Sequence, residues 1–228
     1  MQAIPRLTMQ RCNQKYDTDN IILTPLVTDD EAIEKYTEWI NDENIVHWVD
    51  KSCSVVTIEE EKKWATTPNG EMRYSIFVDA DFIKQVANEK GKACMYYEEH
   101  GKVMVGTCSI TLSRCNTNAT LGILIGEEVA RGNGVGLTVI KMLTKYAFEE
   151  LRVHRCHILM VEDNKKALKC YTNAGYTVCG IEHEAFWYHG HYANVLHLEY
   201  LADEYARQQI LDFMDTDTVP EEVVEDSK

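Results

Sequence analysis

One short segment limits the possible folds of this chain more than any other, the turn Arg131-Gly132-Asn133-Gly134-Val135-Gly136. It follows an apolar, β-branched run and precedes a segment with apolar residues at helical spacing. Glycines allow positive φ angles and close approach of a ligand to the backbone. The free N–H groups at a helix start, aided by the helix dipole, attract an anion. The pattern predicts a strand–turn–helix unit whose main-chain donors hold a pyrophosphate.

Two other phosphate-binding motifs do not fit this turn. A dinucleotide fingerprint needs Gly-x-Gly-x-x-Gly, but counting from Gly132 places Leu137 at the last position, and counting from Gly134 places Val139 there. A P-loop needs Gly-Lys-Ser/Thr, which does not follow the turn. By itself the turn could equally be a tight structural connection, so its context must decide.

The remaining pattern predicts helices interleaved with strands. One helix is capped by Thr28 or Asp29, and a second opens at Thr57 with Glu60 three residues later. A further helix starts at Asp163 or Asn164 and ends before Gly175. Strands are predicted at 21–26, 74–78, 102–112, 119–125, 157–161, 176–181 and 195–200, of which 102–112 and 119–125 form a central hairpin.

The chain divides into one folded domain and two flanking segments. Residues 1–20 are a lead-in without periodicity, residues 21–205 form the domain, and residues 206–228 are an acidic tail that we expect to be disordered. Segment 79–100 has mixed charge and contains a glycine. It could cover the functional site, mediate assembly into a homo-oligomer or form a surface excursion, and the sequence leaves these open.

Composition excludes several classes of protein. With 23 Lys and Arg against 37 Asp and Glu, the 228-residue chain has a net charge of −14, which argues against binding nucleic acid or an anionic membrane. Its eight cysteines include no Cys-x-x-Cys pair, as expected of reduced thiols in the cytoplasm. The N-terminus does not resemble a signal peptide, and no apolar run approaches the ~20 residues that span a bilayer.

Three motifs, taken in order along the chain, match the patterns of one known family. The turn matches the pattern Arg/Gln-x-x-Gly-x-Gly/Ala at Arg131, Gly134 and Gly136. Segment 164–176 resembles Asn-x-x-Ala-x-x-x-Tyr-x-x-x-Gly-Phe, and segment 190–195 resembles Gly-x-Tyr-x-Asp-Val with an asparagine in place of the aspartate. These motifs resemble those of the GNAT N-acetyltransferases, and within them the branch that contains the ribosomal-protein alanine and spermidine acetyltransferases. The resemblance covers roughly residues 20–200.

The resemblance implies both fold and reaction. The expected fold is α+β, with a single central, mostly antiparallel, twisted sheet that is splayed between the family's fourth and fifth strands and flanked by helices. The expected reaction transfers acetyl from acetyl-CoA, the co-substrate, to a primary amine by direct attack in a ternary complex, without a metal. The acceptor could be a polyamine, an amino sugar, an antibiotic amine or a protein N-terminus.

The resemblance also implies roles for individual residues. The open edge of Ile123-Leu124-Ile125 would pair with the pantetheine amides as a pseudo-strand. Asn164 and Tyr171 lie seven residues apart and therefore share a helix face. Asn164 would hold the pantetheine arm, and Tyr171 would be the general acid for the leaving thiolate. Plain N-capping by Asn164 and simple packing of Tyr171 are the structural alternatives.

Other questions stay open at this stage. The base that deprotonates the amine could be a water chain or one of the residues Glu127, Glu128, Glu182, His183 and Glu184. His189 and His191 could bind a metal or merely line a hairpin surface. Two other functions remain possible: a non-catalytic acyl-CoA-binding sensor or scaffold with the same fold, and an unrelated nucleotide-phosphate binder.

Overall fold

The structure, a computed structural model, describes residues 20–49, 54–67, 69–84, 98–99, 101–113 and 117–216. Its strands are β1 (Ile21–Pro25), β2 (Glu71–Asp79), β3 (Glu98–Glu99), β4 (Lys102–Leu112), β5 (Asn118–Ile125), β6 (Arg155–Val161), β7 (Thr177–Tyr188) and β8 (His191–Leu201). Its helices are α1 (Asp30–Ile40), α2 (Glu43–Val46), α3 (Ile58–Thr66), α4 (Val135–Glu149), α5 (Lys165–Asn173) and α6 (Ala202–Thr216). The predicted lead-in and most of segment 79–100 lie outside the described residues.

Local sequence signals determine where the helices begin. The Asp29 carboxylate accepts the N–H of Ala32 (2.9 Å) at the start of α1. Thr57 and Glu60 form the predicted capping box of α3. Asn164 caps α5, and Gly175 follows that helix with a φ of 104°. The predicted helix starts are therefore confirmed, whereas the four-residue α2 is too short for a periodic signal.

The strands form one sheet in the order β1-β2-β4-β5-β6-β8-β7, with β3 beside β4. Every neighbouring pair is antiparallel except β5 and β6. This confirms the predicted single, mostly antiparallel sheet, including its central β4–β5 hairpin.

Helices cover the two faces of the sheet unequally. On one face α4, α5 and the start of α6 pack over a continuous apolar core that includes Val103, Val105 and Ile158. On the other face α1 packs over Phe77, Met104 and Leu124. Because β4 lies between both cores, its consecutive residues are buried on alternating sides.

A bulge in the N-terminal half of the sheet requires a glycine. The register between β2 and β4 shifts between Ile76 and Phe77, next to Gly106. A Cβ atom at Gly106 would lie 2.1 Å from the carbonyl oxygen of Leu124, so no other residue allows β4 and β5 to approach this closely here. The bulge thus fixes the position of the last residues of β5.

The sheet opens between β5 and β6. Pairing is limited to Asn118–Thr120 against Arg155–His157. Beyond Thr120, β5 continues to Ile125 and β6 to Val161 without a described pairing between them. We call this gap the wedge. It confirms the predicted splay, since these strands correspond to the family's fourth and fifth.

The C-terminal part of the chain is more regular than its sequence indicates. β7 extends to Tyr188 and β8 begins at His191, so both strands are longer than predicted. The sequence pattern does not indicate this length, because the residues near the hairpin tip are largely exposed and show no burial alternation. α6 continues through 206–216, so the prediction of a disordered tail is wrong for these residues. Tyr205 anchors this helix through its hydroxyl, which donates to Glu149 (2.8 Å), and through its ring on Phe148. Residues 217–228 lie outside the described ranges.

A side-chain amide and a carboxylate hold the β7–β8 hairpin against the end of β6. The Asn194 amide donates to the Glu162 carboxylate (3.0 Å), and its oxygen accepts the N–H of Glu184 (2.9 Å). Glu184 has a positive φ of 51° within an irregular stretch of β7. Asn194 therefore serves as donor and acceptor at once. This explains the departure from the aspartate of the related branch, since an aspartate would face Glu162 with no proton to donate.

We expect Asn194→Asp to lower the free energy of unfolding at pH 7 by about 1–3 kcal/mol, because two carboxylate side chains would meet without a proton between them. Adding Glu162→Gln should restore most of the loss, since the glutamine amide supplies the donor from the other side. Urea denaturation of the two single variants and the double variant measures this. Additive losses in the double variant would contradict the donor–acceptor assignment.

Candidate active site

The open edge of β5 is the first component of the site. The side chains of Ile123 and Ile125 pack toward the α4 core, whereas Leu124 packs toward α1. The edge that faces the wedge therefore presents peptide groups and not side chains. An extended ligand with amide groups can add to such an edge as a further strand.

Arg131 has a different role from the predicted one. Its guanidinium donates to the carbonyl oxygens of Ile125 (2.9 Å) and Gly126 (2.7 Å), and it lies 3.6 Å from the Asp42 carboxylate. Its own N–H donates to the Glu128 carbonyl (3.1 Å) and so is not free for a phosphate. Arg131 fixes the end of β5 to the following turn instead.

The remaining residues of the turn have the arrangement expected of an anion site. Gly134 has a φ of 82° and directly precedes α4. The first intrahelical bond runs from the N–H of Thr138 to the carbonyl of Gly134 (3.0 Å), so the N–H groups of Val135 and Gly136 have no helical partner. The Asn133 side chain holds the turn by donating to the carbonyl of Val129 (2.7 Å).

Gly136 has no conformational need to be glycine. It lies within α4, and a Cβ atom there would meet Cys170 Sγ at 3.8 Å and Ile125 Cγ1 at 3.9 Å, which are ordinary contacts. That Cβ would point into the gap between the end of β5 and α5, at the mouth of the wedge. The missing side chain therefore leaves room for a ligand that approaches the free N–H groups.

Helix α5 brings Asn164 and Tyr171 to the same side of the wedge. The Asn164 Oδ1 atom accepts the N–H of Ala167 (3.0 Å), so Asn164 caps α5, while its NH₂ group makes no hydrogen bond with the described residues. Tyr171 is buried, and its burial raises the pKa of the phenol well above its usual value. The described residues offer its hydroxyl no hydrogen bond, in contrast to the hydroxyl of Tyr176, which bonds to Thr144 (2.7 Å).

A cavity of about 650 Å³ lies on the opposite face of β5, beneath α1 and α3. Its floor includes Gly122 and Leu124, and its walls include the rings of Tyr36, Trp39 and Trp64. The buried carboxylate of Glu61 also lines it. The sequence predicts both helices but indicates no role for these residues in the site, because their spacing is that of ordinary core positions.

Glu127 anchors α1 to the end of β5. This buried carboxylate accepts the indole N–H of Trp39 (3.1 Å) and lies 3.4 Å from the ammonium of Lys35. A Cβ atom at Gly126 would lie 2.0 Å from the Trp39 ring, so the indole rests directly on the backbone there. These contacts give Glu127 a structural role, which argues against it as the base that deprotonates the amine.

Aromatic rings join the residues that directly follow α2 to the tip of the β7–β8 hairpin. The rings of Trp48 and Tyr188 lie 4.7 Å apart, and those of His47 and His189 lie 4.2 Å apart. His191 instead lies 3.3 Å from Asp163. Both histidine rings also contact Tyr188, and the described part of the chain contains no cluster of three possible metal ligands.

Comparison with known proteins decides the family. Residues 20–177 match the family model described as the acetyltransferase (GNAT) domain, which covers more than half of the chain. This chain belongs to the GNAT acetyltransferases. It is accordingly an N-acetyltransferase whose co-substrate is acetyl-CoA.

Relatives of this GNAT enzyme include polyamine acetyltransferases. The spermidine N(1)-acetyltransferase of Escherichia coli K12 is 23% identical over 172 residues, which cover 73% of this chain and 87% of that protein. The spermidine N-acetyltransferase of Vibrio cholerae, solved with CoA and spermine, superposes with a TM-score of 0.65 at 18% identity and covers 82% of this chain and 99% of its own. A GNAT acetyltransferase from Bacillus anthracis superposes with 0.62 at 11% identity, covering 81% and 96%. At these identities, the solved structures support the fold alone.

The helices of this GNAT enzyme that the structure describes are all too short or too polar to cross a bilayer.

We expect Gly136→Ala to weaken acetyl-CoA binding by ~10-fold or more, the equivalent of about one lost hydrogen bond to a charged group. The methyl group would hold the pyrophosphate away from the N–H groups of Val135 and Gly136. The melting temperature should stay equal or rise, because alanine is the better helix former. Titration calorimetry with acetyl-CoA and thermal denaturation measure the two effects. Unchanged affinity would remove this turn from the coenzyme site.

Proposed function

We propose that this GNAT enzyme acetylates a primary amine of a polyamine by direct attack within a ternary complex. The observation that carries the proposal is the position of β5 between the wedge and the cavity. Its open edge faces the wedge, and its residues Gly122 and Leu124 form the floor of the cavity. A thioester in the wedge and an amine in the cavity would therefore meet at this strand, without a covalent enzyme intermediate.

The coenzyme would extend along the wedge. The pyrophosphate would bind the free N–H groups at the start of α4, and the pantetheine amides would pair with the edge of Ile123–Ile125. The Arg131 guanidinium donates to the Ile125 carbonyl, so Ile125 would offer the pantetheine its N–H group. The NH₂ group of Asn164 is available to a pantetheine oxygen, since capping uses only the oxygen of its amide.

Tyr171 is suited to assist the departure of the thiolate. As the amine nitrogen bonds to the acetyl carbon, the carbon–sulfur bond breaks and its electron pair moves to sulfur. The raised pKa of Tyr171 keeps its hydroxyl protonated at every pH below the ordinary value of ~10. A buried neutral hydroxyl that has no acceptor among the described residues can donate to the sulfur, and the amine nitrogen supplies the proton that finally resides on the thiol.

We expect Tyr171→Phe to lower kcat by about 10²–10⁴-fold, because phenylalanine keeps the packed ring and removes only the donor. Acetyl-CoA affinity should stay the same. Tyr176→Phe is the matched control, since it removes another buried hydroxyl and should cost about 1 kcal/mol of stability with little change in kcat. Steady-state kinetics and thermal denaturation measure both variants. Full activity of Tyr171→Phe would exclude its role as the acid.

The cavity has features that suit a cationic acceptor. Aromatic faces attract ammonium groups, and a buried carboxylate such as Glu61 adds a charged acceptor of hydrogen bonds. Arg73 also lines the cavity, but its charge is met by Glu71 at 2.8 Å. The acceptors in the names of the relatives support the choice of a polyamine over an amino sugar or a peptide.

An acceptor panel tests the proposal. We expect the release of free thiol from acetyl-CoA to be fastest with spermidine or spermine and slower with glucosamine or an unblocked peptide. A faster reaction with glucosamine or the peptide would overturn the polyamine assignment. Coenzyme binding without thiol release for any amine would instead favour a sensor or scaffold.

Two glutamates of α3 provide a matched pair for the acceptor site. Glu61→Gln should raise the KM for spermidine by ~10-fold, since it removes one buried charge from the cavity. Glu59→Gln, on an exposed position of the same helix that does not line the cavity, should leave the KM unchanged. Equal KM values for the two variants would place the acceptor elsewhere.

A further inference from the structure

Three side chains form a hydrogen-bonded row across the C-terminal half of the sheet. His157 Nε2 lies 3.0 Å from His197 Nδ1, and His197 Nε2 lies 2.6 Å from the Glu182 carboxylate. The three residues belong to β6, β8 and β7, which are adjacent in the sheet. The row thus runs from the strand that borders the wedge to the outer strand, where the Glu182 side chain is 55% exposed.

The inner end of this row lies at the vertex of the wedge. His157 pairs with Thr120, the last residue of β5 that has a partner on β6. His157 faces away from the α4 and α5 core, since its neighbours Cys156 and Ile158 are buried in that core. His157 therefore lies on the sheet face that carries the cavity. Gly122, two residues after Thr120 on β5, is part of the cavity floor on that face.

The carboxylate determines the protonation of the whole row. An ionised carboxylate only accepts hydrogen bonds, so the proton of neutral His197 resides on Nε2. His197 Nδ1 is then an acceptor, which requires His157 Nε2 to carry the donated proton. The lone pair of neutral His157 is consequently on Nδ1, the nitrogen that makes no hydrogen bond with the described residues.

We infer that His157, His197 and Glu182 form a proton relay that removes the proton of the acceptor ammonium and delivers it to solvent. This inference rests on the proposed function. His157 Nδ1 accepts the proton, His157 Nε2 passes its own to His197 Nδ1, and His197 Nε2 passes its own to Glu182, which releases it to water. The reaction of an ammonium with a thioester yields an amide, a thiol and one proton, and the relay carries that one proton away.

The charges around His157 are compatible with this role. Burial, followed by the nearby Arg155 and His197, lowers the pKa of His157, whereas Glu199 opposes the shift. Arg155 is itself paired with Glu199 at 2.6 Å, and β5 contributes the uncharged Thr120 on the other side. Because the pKa lies below its usual value of ~6.5, His157 is neutral and able to accept a proton at pH 7.

Two amine substrates distinguish a loss of proton removal from other effects of a substitution on the rate. Spermidine is an ammonium at pH 7, whereas methoxyamine is already unprotonated and needs no base. We expect His157→Gln and His197→Gln to lower kcat/KM for spermidine by about 10²-fold at pH 7 and to leave the rate with methoxyamine nearly unchanged. The deficit should shrink toward pH ~10, where alkyl amines lose their proton in water. The double variant should lose no more than either single variant, because the groups act in series.

His154→Gln is the matched control, an exposed histidine directly before β6 that should keep the parental profile. Glu182→Gln, at a half-exposed position, tests the relay should a histidine variant fail to fold, and we expect from it a smaller deficit with the same pH dependence. Equal losses with both acceptors, or a deficit that does not change with pH, would overturn the relay. Parental enzyme that transfers acetyl to neither amine would overturn the proposed function instead.

Discussion

The early end of the pairing between β5 and β6 is the constraint on which the rest of the site depends. Three residue pairs join the strands, and beyond Thr120 no described strand pairs with this edge of β5. Buried peptide groups without hydrogen bonds are costly, so such an edge is stable only where water or a ligand satisfies it. Gly106 sets the approach of β4, and Arg131 holds the last carbonyls of β5. Both features keep the edge straight and open.

The sheet separates the groups that would handle protons. Tyr171 lies on the side of α4 and α5, in an apolar environment that maintains its neutral form. The row from His157 to Glu182 lies on the opposite face and reaches solvent. An acid and a base that shared one face could neutralise each other directly. With β5 between them, one can serve the departing sulfur and the other the incoming nitrogen.

Much of the architecture was predictable because it depends on local signals. The caps at Asp29 and Thr57 predict where α1 and α3 begin, and the apolar runs predict the hairpin of β4 and β5. The splay between β5 and β6 was expected from the resemblance to a family. The use of the Arg131 side chain, the length of the hairpin and the histidine row were not predictable from the pattern. His157 and His197 are forty positions apart, and only the antiparallel register of β6 and β8 makes them neighbours. Likewise, Trp39 and Trp64 have helical spacing that indicates a core whether or not a cavity lies beneath them.

The open edge of β5 affects how readily the chain aggregates in a cell. Exposed strand edges recruit strands of other molecules and thereby start aggregation. During synthesis β5 is complete well before β6 emerges, and even the finished fold leaves Leu121–Ile125 unpaired by β6. A coenzyme that adds to this edge would bind the same backbone groups with which a strand of a second chain could pair. The supply of acetyl-CoA would then govern how much of the protein stays dispersed, in addition to how fast it works.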